Sequence, residues 1–407
     1  MAKEEQESLF LPLILGFIYV FDEQINFMFN NNSIGSFFFV VVTLIFFHRA
    51  VLSGSAAISL KLSALLVVSS IFSLLAYSSS LGCSVEFKGA FSMLLLWGVI
   101  ISIQITPLAK IVTLKSVSNV VIILISAFVC LDALGVHLFV TRLNAGSFYE
   151  PSHLAMYALP FIAYRLLLSN RDLLSWIAVV VIILISPSST FLVGLVGILV
   201  LWLIKGRHLS NSRGKFRIAL AIAFLSILLA SIDTSHTQER IKGIWEGGQG
   251  NVKANLSSLV WLNGWSQAYN YLVATRGLGV GFNQMGCEKF VNLGQFSSLM
   301  YTNLGVVLNS QDGSFMAAKL LTELGLFGLL LVIFLMAVSI KSIFNINRNY
   351  AGVDNAIALA RAVGGMCLLS LLFVRCAGYF QLPVLLAISL LTLKLPNQAS
   401  ITNNNYG

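Results

Sequence analysis

The sequence predicts an all-α polytopic membrane protein of about twelve transmembrane helices with one large outer loop. Three observations predict it. First, 57% of the 407 residues are hydrophobic and only 10% are charged, against roughly 25% charged in a soluble domain. So few charges cannot cover a water-facing surface, and no separate soluble domain of any size is expected. Second, apolar stretches of roughly 15–25 residues, the length that spans a bilayer as helix, recur from end to end. Third, Lys and Arg concentrate in alternate connections, as the positive-inside rule requires. A net charge of +9 can signal nucleic-acid binding. Here the charges lie between apolar runs rather than on one soluble face, so no nucleic-acid partner is expected.

The expected spans are, in order, Leu9–Phe21, Ser36–Leu52, Ile58–Tyr77, Gly89–Leu108, Val117–Val136 and Ser152–Leu168. Leu173–Ser186, Thr190–Ile204, Arg217–Ile232, Phe315–Ile340, Ile357–Gly378 and Gln381–Lys394 follow. The first and seventh are short, and the last two can form a single helical hairpin. The start, MAKEEQE, is acidic and lacks a basic region with a cleavage site. No signal peptide is expected, and the first apolar run should remain as an anchor.

With the N-terminus inside, the inner connections carry Arg49, Lys110, Lys115, Arg165, Arg171 and the run from Lys205 to Arg217. Lys341, Arg348 and Lys394 complete the inner set. The short outer loops carry Asp22, Glu23, Glu86, Lys88, Arg142 and Glu150. Both termini are then cytoplasmic. The segment Asp233–Ser314 breaks the pattern of short loops. It is polar, Gly-rich and outside, and connections of this length are usually functional or disordered. Its apolar stretch Leu256–Val273, with Trp261 and Trp265, reads as one or two short helices at the interface, the depth Trp prefers. The organisation is therefore transmembrane helices over 1–232, the large loop over 233–314, transmembrane helices over 315–395 and a disordered tail over 396–407.

The five cysteines, Cys83, Cys130, Cys287, Cys367 and Cys376, show no CxxC or Cys/His spacing. No metal site and no cofactor is expected. An outer Cys83–Cys287 disulfide fits the topology, but nothing in the spacing supports it.

Ionisable residues near the outer surface are the candidates for chemistry, because charges within a bilayer are costly. Glu150 stands in Glu150-Pro151-Ser152-His153. Pro151 suits the first turn of a helix, where Glu150 and Ser152 can serve free N–H groups. The plain reading is a helix cap. The functional reading is a carboxylate that takes a proton from a sugar hydroxyl. His153 can be a base or a structural residue at a helix start. Arg276 opens the turn Arg276-Gly277-Leu278-Gly279-Val280-Gly281. Its backbone N–H groups and guanidinium can wrap an anion, or it is simply a tight turn back to the membrane. Arg375, about one turn inside the eleventh span, either snorkels or meets an anion in the bundle. Arg142, Arg276 and Arg375 together can grip a diphosphate, which favours bidentate Arg contacts. Asp312, Lys319 and Glu323 open the tenth span, and the last two can pair four residues apart. Asp132 is a weaker candidate, and Arg361 reads as an inner anchor or internal pair.

Four stretches in this order resemble the O-antigen polymerase and ligase superfamily, and the Wzy-type polymerases in particular. They are Glu150-Pro151-Ser152-His153, Ser186-Pro187-Ser188-Ser189-Thr190, the Arg276–Gly281 turn, and Thr322-Glu323-Leu324-Gly325-Leu326-Phe327-Gly328. The resemblance is one of layout over Arg142–Leu331. It implies a GT-C-like integral glycosyltransferase of the bacterial inner membrane with its large loop in the periplasm. The expected substrates are undecaprenyl-diphosphate-linked oligosaccharides, used without nucleotide sugar and without an obligatory metal. Membrane lipid, a polysaccharide chain-length regulator and the repeat-unit flippase are the implied partners. Ligases usually carry a His shortly before the span after the large loop. Asn309-Ser310-Gln311-Asp312-Gly313-Ser314 has none, which tilts the reading toward the polymerase. An O-antigen ligase and a lipid-linked-oligosaccharide flippase remain the alternatives. The absence of an internal repeat and the gathering of candidate charges near one face speak against a transporter.

Overall fold

The computed structural model describes residues 12–28, 41, 111–139, 145–169, 172–206, 256–282, 284–286, 295–304, 307–309, 313–346, 352–376, 378–379 and 381–393. Every regular element among them is a helix. They are α1 (12–20), α2 (Asp22–Met28), α3 (Ile111–Ala133), α4 (Pro151–Leu168), α5 (Leu173–Ile185) and α6 (Ser189–Gly206). α7 (Leu256–Ala274), α8 (Gln295–Leu304), α9 (Met316–Asn345), α10 (Gly352–Phe373) and α11 (Leu382–Thr392) complete them. Three stretches are long and apolar enough to cross a membrane: Leu114–Ala133, Met316–Asn345 and Asn355–Phe373. α5, α11 and most of α6 are apolar but shorter. The expected spans Ile58–Tyr77, Gly89–Leu108 and Arg217–Ile232, and all of Ser36–Leu52 but residue 41, lie outside the described residues.

α4 is the central helix. All its residues are buried except Pro151, Ser152, Arg165 and Leu168. It packs against α3, α5, α6, α10 and α11. A helix apolar around its whole circumference belongs in such a position, with neighbours on every face. Its Tyr157 and Phe161 meet Tyr19 of α1 edge to face at 5.0 Å. α9, α10 and α11 form a second packed group. Here small residues let backbones approach, the usual device where lipid supplies no hydrophobic drive between helices. A Cβ on Gly364 would sit 2.7 Å from the Leu390 Cβ, and one on Gly365 2.7 Å from the Ser339 carbonyl oxygen.

The expected uninterrupted span Phe315–Ile340 is broken. Gly325 has φ 59° and ψ −133°, outside any helix. The glycine turn of the large loop docks into this break. Leu326 N–H donates to the Gly277 carbonyl at 2.8 Å, and Gly281 N–H to the Glu323 carbonyl at 2.9 Å. Backbone groups freed by the break are thus satisfied from the loop, which an apolar setting demands. A Cβ at Gly325 would lie 2.0 Å from the Gly277 oxygen, so only glycine fits.

The stretch expected as one or two interfacial helices is one helix, α7, packed on α9. Trp265 lies over Phe315 at 4.8 Å between ring centroids, and Trp261 Nε1 donates to the Phe373 carbonyl at 2.9 Å. The loop is therefore fastened to the bundle where α9 begins and α10 ends.

Candidate functional site

Four chain segments, distant in sequence, converge at one end of the bundle. α2 begins there, α4 begins there, α10 ends there and α11 begins there. Asp22 fixes the junction. It is fully buried, and its carboxylate accepts from the Tyr157 hydroxyl of α4 and, at 3.5 Å, from Leu382 N–H at the start of α11. Asp22 lies just past the first expected span. Burial pushes its carboxyl up from 3.8 to about 7, and the hydrogen bond from Tyr157 works against that rise.

The next residue carries the site. α2 and the end of α1 are held against the segment before α4 by three hydrogen bonds. Gln24 Nε2 donates to the Ser147 carbonyl at 2.9 Å, Ser147 Oγ to the Val20 carbonyl at 2.9 Å, and Tyr149 N–H to Glu23 Oε2 at 2.8 Å. They place Glu23 Oε1 2.6 Å from His153 Nδ1, at ion-pair distance but out of line for a hydrogen bond. On the other side of the ring, His153 Nε2 is 3.2 Å from Arg375 Nη2 and 3.3 Å from Glu150 Oε1. Arg375 Nη2 donates to Glu150 Oε1 at 2.7 Å, and Ser152 Oγ donates to the same oxygen at 2.5 Å.

Glu150, His153 and Arg375, three of the expected site residues, thus form one cluster. The side chains of Arg375 and Glu150 keep 17% and 28% of their exposure, so a ligand can reach them. Glu150 is the residue before the first turn of α4, with Pro151 in that turn, as expected. Its carboxylate makes no cap hydrogen bond, so the capping alternative is corrected in favour of the Arg375 pair. Arg375 stands just past the end of α10 rather than a turn inside it, and it pairs rather than snorkels.

Glu323 belongs to a second cluster. It is fully buried beside the break in α9, pairs with Lys319 at 3.2 Å, and accepts from the Tyr379 hydroxyl at 2.9 Å and Met285 N–H at 3.3 Å. The Lys319 ammonium also lies 5.4 Å from the centroid of the Tyr379 ring. The pairing expected from the four-residue spacing is present. Arg276 joins neither cluster. It is exposed, at φ 51°, on the turn that docks at Gly325. The three-arginine grip is therefore not assembled among the described residues, and Arg142 and Asp312 lie outside them. Asp132 is tied to His137 Nδ1 at 2.5 Å and to Gly146 N–H at 3.2 Å, and so fastens the connection between α3 and α4.

Sequence reasoning placed Asp22 and Glu23 only as outer-loop charges and passed over Tyr379. Two adjacent acids directly after an apolar run were the available signal for the first two. Among the described residues no group of three or more His, Cys, Asp and Glu side chains is arranged to hold a metal ion. No family model and no curated protein matches the chain.

Proposed function

We propose that this protein polymerises a surface polysaccharide at the outer face of a bacterial inner membrane. It would join undecaprenyl-diphosphate-linked repeat units by glycosyl transfer. One observation supports the reading most: a reachable Glu150–Arg375 pair beside His153, at the end of a helical bundle with apolar walls. An arginine held by a single carboxylate oxygen can exchange it for a diphosphate, which offers the guanidinium fork more oxygens. Arg375 would then stabilise the charge that grows on the leaving diphosphate, the large electrostatic contribution in such reactions. Glu150, released, would orient the acceptor hydroxyl. Arg276, exposed on its turn, would be a separate contact for the anionic donor. The lipid tail would lie between helices.

Deleting the gene in its host and running the surface lipopolysaccharide on a gel tests this. Core carrying a single repeat unit, with the ladder gone, is the expected result. Bare core would instead mean a ligase or a failure of unit supply. An unchanged ladder would overturn the reading.

A further inference from the structure

We infer that Glu23 is a positioning residue that presents His153 as the proton acceptor in this transfer, an inference that rests on the function proposed above. The geometry is that of an imidazole between two carboxylates. Glu23 Oε1 is 2.6 Å from Nδ1, and Glu150 Oε1 is 3.3 Å from Nε2. Glu23 is fixed before any ligand arrives, because Tyr149 N–H holds its other oxygen at 2.8 Å and α2 is bonded to the same segment through Gln24 and Ser147. Its side chain and that of His153 are each 11% exposed, so the contact is largely shielded from water and from screening.

The arrangement selects a tautomer. A proton on Nδ1 lies close to the Glu23 carboxylate, though out of line with it, and the lone pair then falls on Nε2. That atom faces Arg375, whose Nη2 is 3.2 Å away and has only hydrogens to offer. The opposite tautomer would set a lone pair against Glu23 and an N–H against a guanidinium. When Arg375 turns to the donor diphosphate, Nε2 is left open on the side where the acceptor arrives. Glu150 Oε1 still accepts from the Ser152 hydroxyl at that point, so Nε2 is the better-placed acceptor of a proton.

The step balances. The acceptor hydroxyl oxygen bonds to the anomeric carbon as its proton passes to Nε2. The bond from that carbon to the diphosphate oxygen breaks, and its electron pair leaves with the diphosphate. The imidazolium so formed lies between Glu23 and Glu150 and returns its proton to water or to the departing diphosphate. Contacts of this kind are often poorly aligned before substrate binds, as the Glu23–His153 contact is.

The test uses the full-length protein in detergent, labelled with ¹⁵N at histidine. His153 nitrogens are assigned with a His153→Gln control. Neutral His153 should carry its proton on Nδ1, and Glu23→Ala should lose that preference. In membranes from a deletion host supplied with its own lipid-linked repeat units, Glu23→Ala should slow ladder growth at least about tenfold. Loss of general-base help sets the scale at about 10²–10⁴-fold. Glu23→Asp should recover part of the rate, while insertion levels stay equal. A proton on Nε2 in the parent protein, or a tautomer untouched by Glu23→Ala, overturns the inference whatever the polymer does. The expected tautomer with full ladder growth in Glu23→Ala overturns the role in transfer. An unchanged ladder on gene deletion refutes the polymerase reading instead, and with it the transfer role.

Discussion

At one end of the bundle Arg165, Lys205 and Arg361 each have a fixed structural partner, whereas at the other end the charges share one another. Arg361 Nη1 donates to the Leu393 carbonyl at the end of α11 at 2.8 Å, and Lys205 donates to the Leu167 carbonyl at the end of α4. Arg165 grips both oxygens of Asp172. Cations at helix C-termini and a two-pronged arginine pair are ordinary fastenings. At the opposite end Glu23, Glu150, His153 and Arg375 form a chain whose Glu150 and Arg375 members a ligand can reach. Two aspartates, one buried and one half-buried, make the same point. Hydrogen bonding from Arg165 holds the Asp172 carboxyl below its ordinary 3.8, while burial lifts Asp22 to about 7. One end favours charge in place; the other is arranged around charge that is costly to keep.

Breaking the comparison at its strongest point should give the largest effect. Arg375→Ala is expected to reduce ladder formation by about 10²-fold or more, since it removes the cation nearest the reacting charge. Arg361→Ala should leave the ladder intact. Equal ladders from the two variants would erase the functional difference between the ends. Next in size is Glu323→Leu, which leaves the buried Lys319 unpaired. It should cost about 3–5 kcal/mol, the usual penalty for stranding one member of a buried pair. A lowered thermal unfolding midpoint in detergent is the readout. Lys319→Met added to Glu323→Leu should recover most of that loss.

A smaller effect separates the aspartates by pH. Asp22 binds its proton more tightly folded than unfolded, so its contribution to stability falls as pH rises from 3.8 through about 7. Asp22→Asn should flatten the unfolding midpoint across that window. Asp172 has the opposite sign. Its contribution is present above 3.8 and is lost as pH falls through its lowered value. Asp172→Asn should therefore change the profile only on the acid side. Smallest of all, Arg361→Ala should cost about 1 kcal/mol, the scale of a cation at a helix C-terminus. A much larger loss in the same melting experiment would make that end more than a fastening.

Much of this was local and hence readable along the chain. The Glu150-Pro151 start of α4, the Lys319–Glu323 pair, the short apolar run of α5 and the helical character of Leu256–Val273 depend on neighbours within one or two helical turns. Propensity, spacing and hydropathy act over that range. Other features were not readable because their cause is far away in sequence. Gly325 looks like an ordinary glycine in an apolar run until Gly277 and Gly281 supply the bonds that its break requires. Arg276 looked like a partner of Arg375, yet the turn it opens docks against the break in α9 and leaves it exposed.

By itself, then, the sequence determined the helical class, the apolar lengths that suit a bilayer and the short-range starts and pairs of the helices. These follow from backbone satisfaction and burial, which composition and periodicity encode directly. Only the tertiary structure decided that Arg375 meets Glu150 across 225 positions, and that Glu23 stands against His153. Side chains at opposite ends of the chain become neighbours only when helix packing brings their ends together. Nothing in the spacing of charges along the chain records which ends those are.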